Sequence, residues 1–152
     1  ITLAVAGLLA WAEIGRSRAV AVSLWLDDRA TLLAWIETNL PGEAVIAQDE
    51  MVNLPEPERR KVHAGLEPLR QKVIGKKVLA DLGTLEELRT QGITHIATTR
   101  LTNSRYRSGR RESPAEDFYQ TLFDRGRIVW ESPPGLVQYL QPGLTLFDIT
   151  AL

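Results

Sequence analysis

Gly92-Ile93-Thr94-His95-Ile96-Ala97-Thr98-Thr99 is the stretch on which the reading of this chain turns. It is a short β-branched run that follows a helical segment and leads into a segment dense in arginine. That composition predicts a buried strand, and a helix closing on glycine is the usual way into one in an α/β sheet. Immediately upstream, Thr84-Leu85-Glu86-Glu87 has the form of a capping box: the threonine hydroxyl serves a first-turn N–H while Glu87 reaches back. The helix it opens is expected to run to about Gln91 and to stop at Gly92.

Downstream, Ser113-Pro114-Ala115-Glu116 repeats the device, with proline at the first helical position. Phe118, Leu122 and Phe123 give that helix an apolar face, and Gly126 closes it. Arg127 to Glu131 and Leu144 to Ile149 then read as strands. The short Gly/Pro-containing link between them predicts antiparallel neighbours at one edge of the sheet.

Toward the amino terminus, Asp27-Asp28 supplies N-cap residues for a helix over about Arg29 to Asn39, with Leu32, Leu33, Ile36 and Leu40 on one face and Trp35 beside them. Pro41-Gly42 stops it, and Ala44 to Ala47 reads as the first core strand. Between Met51 and Lys77 the prolines at 55, 57 and 68 exclude one long helix. A second strand is placed at Lys61-Val62-His63-Ala64 in preference to Lys76 to Ala80. This order predicts an α/β fold: a Rossmann-like three-layer domain over 27–152, mainly parallel, with an antiparallel edge hairpin.

With 152 residues, 44% hydrophobic and 24% charged, the composition is that of one globular domain. Lys+Arg 18 against Asp+Glu 19 leaves a net charge of −1, so no overall field draws in nucleic acid. Cysteine is absent, which removes disulfides, thiolate nucleophiles and Cys-type zinc sites. The two histidines, His63 and His95, exclude a His-rich metal site.

The chain opens at Ile1 rather than Met, from which a longer parent chain is expected. Ile1 to Ala12 is almost wholly apolar, followed by Glu13, Arg16 and Arg18. A spanning helix needs roughly 20 apolar residues, so this run is too short to cross a bilayer alone. The end of a last transmembrane helix, an ordinary buried helix and the apolar part of a signal peptide all remain open. The first is preferred, and 1–26 is therefore set apart as an apolar helix or juxtamembrane segment. Trp11 suits a membrane interface in that reading. Trp25, Trp35 and Trp130 read as packing residues.

No Gly-rich dinucleotide loop, Walker motif or Gly-x-Ser-x-Gly elbow occurs, so no cofactor is expected and the fold alone does not imply NAD or ATP. Asp49 and Glu50, at the carboxyl end of the first strand, are candidate acid/base groups or hard-cation ligands, or a polar turn that caps the next segment. Asp81 caps or faces solvent. His95 reads as a core or half-buried residue with one hydrogen bond, and His63 has no acidic or nucleophilic companion nearby in sequence. Arg100, Arg105, Arg107, Arg110 and Arg111, with Asn103 and Tyr106 among them, form a candidate loop for a phosphate, a lipid headgroup or an acidic sugar. It lies at the carboxyl end of the central strand, where open α/β sheets place ligands. A solvated charge run is the competing reading.

A further pattern lies in Asp27-Asp28-Arg29, Leu33-Ala34-Trp35-Ile36-Glu37-Thr38-Asn39-Leu40-Pro41-Gly42, Gly92-Ile93-Thr94-His95-Ile96 and Phe118-Tyr119-Gln120-Thr121-Leu122. Following an apolar segment, it resembles the soluble C-terminal domain of bacterial multi-pass membrane glycosyltransferases, relatives of protein O-mannosyltransferases and aminoarabinose transferases. The resemblance covers nearly the whole chain. It implies a parent enzyme that transfers sugar from a polyprenyl-phosphate carrier outside the cytoplasm. This domain would then be non-catalytic, membrane-attached and extracytoplasmic, with carrier or acceptor phosphate as its partner. That family's catalytic carboxylates belong to its membrane half, so no catalytic residue is carried over. Arg16 and Arg18 sit poorly with that topology, because such charges favour the cytoplasmic side. A freestanding α/β module binding a small anionic ligand or a protein partner is the alternative.

Overall fold

The structure, a computed structural model, describes residues 27–56, 69–106, 113–133, 135 and 141–152. The predicted segment 1–26, the favoured strand at Lys61 to Ala64, His63, Trp11 and Trp25 lie outside those residues.

Helix α1 (Asp28–Asn39) begins where Asp27 Oδ1 accepts from the Arg29 amide at 2.9 Å, and it ends at Leu40 ahead of Pro41. Strand β1 (Val45–Asp49) follows. Strand β2 (Lys72–Lys76) falls at neither position expected for it. Gly75 in its interior masks the strand pattern; a Cβ there would come 2.0 Å from Glu56 Oε1, the end of a flexible side chain that would have to move. Lys76 to Ala80 runs instead from the end of β2 into a 3-10 turn over Leu79–Leu82, where Asp81 is exposed.

Both predicted capping boxes form. Thr84 opens α2 (Leu85–Thr90), and Ser113 opens the long helix over Pro114–Arg125. Gly92 takes φ +86°, a left-handed turn that L side chains resist, and releases the chain into β3 (His95–Thr99). The segment after β3, expected as an arginine loop, is helical at once: α3 spans Arg100–Tyr106. The Thr99 hydroxyl accepts the Thr102 amide at 3.2 Å, which replaces a loop by a first turn. Helix α4 (Pro114–Arg125) and strands β4 (Arg127–Glu131) and β5 (Leu144–Asp148) complete the described chain.

The sheet order is β2-β1-β3-β5-β4. β1 is parallel to both β2 and β3, whereas β5 runs antiparallel to β3 and β4. Four strands therefore point one way and only β5 opposes them, so the expected mixed α/β fold with an antiparallel edge hairpin is present. Alternate strand residues face opposite sides. Ile46, Val73, Ala97, Leu144 and Leu146 pack under α1 through Leu32, Leu33 and Ile36. Ala47, Ile96 and Phe147 pack against α2 and α4 through Leu85, Leu88, Phe118, Tyr119 and Leu122. A bulge between Ile128 and Trp130 turns Val129 and Trp130 together toward the α1 side, where Trp35 also packs. Among the described residues no helix is long and apolar enough to cross a membrane.

Phe147 is fully buried and meets Phe123 edge to face at 5.2 Å. Phe147→Ala is expected to cost about 3–5 kcal/mol in urea unfolding, against about 1 kcal/mol for Ser113→Ala, which removes a cap.

Candidate functional site

Three parallel strands end together on one side of the sheet. Asp49 of β1 is in register with Lys76 of β2, and Gln48 with Ala97 of β3. The chain leaves β1 toward β2 on one side and β3 lies on the other, so the strand order reverses here, the position at which open α/β sheets form a crevice. The crevice is present, with a volume of about 280 Å³. Glu50 and Met51 line it just after β1, Lys77 and Val78 just after β2, and Leu101, Thr102, Arg105 and Tyr106 from α3.

The segment after β1 is held in place by two buried side chains. Gln48 acts like a strand partner: its Nε2 donates to the Leu54 carbonyl at 2.9 Å and its Oε1 accepts the Leu54 amide at 2.7 Å. Arg29 reaches across from α1 and donates through Nε to the Val52 carbonyl at 2.9 Å. These contacts fix Glu50 and Met51 at the crevice rim, with Asn53 in the left-handed region at φ +56°.

Strand alternation splits the predicted carboxylate pair. Glu50 is exposed, whereas Asp49 is only 1% exposed beneath the crevice. Asp49 Oδ1 accepts a hydrogen bond from the Tyr119 hydroxyl of α4, and the Leu79 amide donates to that hydroxyl at 3.3 Å. Tyr119 in turn stacks on Tyr106 with ring centroids 5.0 Å apart. Burial pushes the Asp49 carboxyl up to about 7, against the pull of the Tyr119 and Thr102 hydroxyls and the Leu79 amide. Burial and the adjacent carboxylate raise the Tyr119 phenol, which stays protonated and serves as donor. Asp49 is thus a structural anchor shielded by tyrosine. The groups left to meet a ligand are Glu50, Lys77, Arg105, Thr102 and the Tyr106 ring.

The arginines part company. Five residues along a helix turn through about 500°, which leaves Arg100 and Arg105 about 140° apart around α3. Arg105 lines the crevice between β1 and β3. Arg100 lines a separate space of about 430 Å³ on the other flank, with Asn103, Ser104, Glu131 and Ser132. The larger space sits over the antiparallel β3–β5 join with one arginine and one acid, Glu131, in its lining. The smaller has two cations, Lys77 and Arg105, to the one acid Glu50, so the smaller one is the better anion site. Arg107, Arg110 and Arg111 lie outside the described residues. Asp49 Oδ2, Thr98 Oγ1 and Asn103 Oδ1, all at the carboxyl ends of β1 and β3 or in α3, have no hydrogen-bond partner among the described residues. Such orphaned groups are rare in packed interiors and concentrate the polar character of this end.

His95 lies at the opposite, amino end of β3. It is 7% exposed, and its Nδ1 sits 2.8 Å from the Thr94 hydroxyl, which matches the core reading. Burial and Arg127 lower its pKa against the pull of Asp148. Asp148 is raised by burial, yet the Thr150 and Arg127 contacts outweigh this and bring it down to about 2. No group of three or more potential metal ligands occurs among the described residues.

Sequence reasoning missed Lys77, Thr102 and Tyr119. Only for Tyr119 was there a signal: it shares the buried side of α4 with Phe118 and Leu122, and a buried tyrosine hydroxyl needs a partner. Comparison with protein-family models, with curated proteins and with solved structures finds no match.

Because the native carboxyl binds its proton more tightly than the unfolded one, Asp49 makes stability fall as pH rises from about 4 to about 7. Three pKa units amount to about 4 kcal/mol at most. His95 and Asp148 are shifted downward and act in the opposite sense. The difference in urea unfolding free energy between the natural chain and Asp49→Asn therefore isolates the effect. It is expected to move in favour of the variant between pH 4 and pH 8, and a pH-independent difference would contradict the assignment.

Proposed function

We propose that this chain is a non-catalytic accessory domain of a membrane-embedded glycosyltransferase that uses a polyprenyl-phosphate sugar donor. Its working site is the crevice between β1 and β3, where carrier or acceptor phosphate is held. The observation that carries the reading is the presence of both Lys77 and Arg105 in the lining of one small crevice, brought from beyond the strands on either side of β1. A lysine supplies a point charge and an arginine a planar fork, a combination suited to phosphate oxygens. The Tyr106 ring offers an apolar face beside them. At about 280 Å³ the crevice suits a phosphate with part of a sugar rather than a dinucleotide.

Non-catalytic fits the burial of Asp49, whose carboxylate is engaged by Tyr119 and has no exposed route to a substrate. The sugar-transferase assignment rests on the sequence resemblance, and with it go the Rossmann-like classification and the extracytoplasmic, membrane-attached location. The same crevice supports a second reading, a freestanding module for a small anionic ligand, because the two cations are indifferent to what precedes the chain.

Calorimetry with farnesyl phosphate and with inorganic phosphate tests the site. Both should bind, and Arg105→Ala or Lys77→Ala should weaken binding about ten- to a hundredfold, the loss of one charge-assisted contact. Binding that ignores both substitutions would remove the crevice from consideration. The parent is tested by counting hydrophobic spans encoded upstream of Ile1: eight or more long spans favour the transferase, and none favours the freestanding module.

A further inference from the structure

Exposed large apolar side chains are few among the described residues: Met51 at 39%, Leu101 at 61% and Ile128 at 48% exposure. Two of the three, Met51 and Leu101, stand on the rim of one crevice at the carboxyl end of the sheet, beside Lys77 and Arg105. Arg100, exposed at the start of α3, adds a third cation to the same end; Glu50, Glu131 and Asp81 of the turn after β2 are exposed acids there. Exposed apolar residues grouped with cations are the composition of a surface that meets lipid.

The direction of the chain points to the same end. Asp27 opens α1, and the side chain of the next helical residue but one, Arg29, is bonded to the Val52 carbonyl, with the Met51 carbonyl 3.5 Å from its Nη2. Asp28 accepts from the Ser132 hydroxyl at 2.9 Å, and that hydroxyl accepts the Leu144 amide at 3.0 Å. The start of α1 is thereby tied to the carboxyl ends of β1 and β4 and to the amino end of β5, which all lie on the crevice side. Residues 1–26 lead into Asp27 at this end; within them Ile1 to Ala12, which includes Trp11, is the most apolar stretch of the chain and is separated from Asp27 by residues 13–26. An apolar run of that length is too short to span but sufficient to sit in a bilayer interface.

From these placements we infer that the carboxyl end of the sheet is a membrane-facing surface, with Met51 and Leu101 as its apolar contacts. The crevice of Lys77 and Arg105 then opens toward lipid phosphates. The inference rests on the membrane-attached part of the proposed function and adds the face that is turned to the bilayer. Ile128, equally apolar but near the amino end of β4, points away from it.

The absence of cysteine makes the test direct. Met51→Cys, Leu101→Cys and Ile128→Cys chains of 152 residues carry an environment-sensitive dye and are mixed with phosphatidylglycerol or phosphatidylcholine vesicles. All three positions are exposed, so the thermal melts should match that of the natural chain. The expected result is a blue shift and a several-fold loss of iodide quenching at 51 and 101, stronger on phosphatidylglycerol, with position 128 unchanged. Cosedimentation is read alongside. Failure to bind either vesicle overturns the membrane-attached reading and the inference with it. Binding with equal shifts at all three sites, or with none at 51 and 101, overturns the face assignment alone and leaves phosphate binding by the crevice to its own titration.

Discussion

β3 is buried along its whole length, from His95 to Thr99, and the rest of the described structure answers to that constraint. A strand buried on both faces needs a partner strand on each edge and apolar cover above and below. β1 and β5 supply the edges. α1 covers one face through Leu32, Leu33 and Ile36, and α2 with α4 covers the other through Leu88, Phe118 and Leu122. Once both faces are occupied, only the strand ends are free for chemistry.

At the carboxyl end that freedom is shaped by a single buried group. Asp49 would be costly to bury as an isolated charge. Its proton affinity rises and Tyr119 donates to it, which draws α4, the Leu79 turn and, by stacking, Tyr106 of α3 to one point. The position of α3 follows, and α3 divides the end of the sheet into two spaces with one arginine each. The crevice is therefore a product of how a carboxylate is accommodated beneath it.

That arrangement separates the charged groups at this end of the sheet. The acid best placed by sequence for acid/base work is locked under tyrosine, while the cations stand at the rim. Cations at a switch point and the apolar side chains beside them share one end of the sheet, on which the accessory-domain proposal and the membrane-facing inference both draw.

Much of the architecture was legible from local chemistry. The two capping boxes, the left-handed Gly92, the β-branched run of β3 and the β4–β5 edge pair are written in short-range spacing, because caps, turns and strand periods depend on neighbours a few residues apart. The position of β2 was not legible, since Gly75 interrupts its β-branched pattern. Nor was the fate of the arginines: spacing in a loop suggested one cluster, and helix geometry sends Arg100 and Arg105 to opposite flanks. The sequence alone determined β3, the capped helix before it, the Ser113-capped helix and the edge strands, and that charge gathers after β3. Tertiary structure alone decided that Asp49 is buried against Tyr119 and that Lys77 and Arg105 line one crevice. Those contacts join residues distant along the chain, and nothing in local periodicity encodes them.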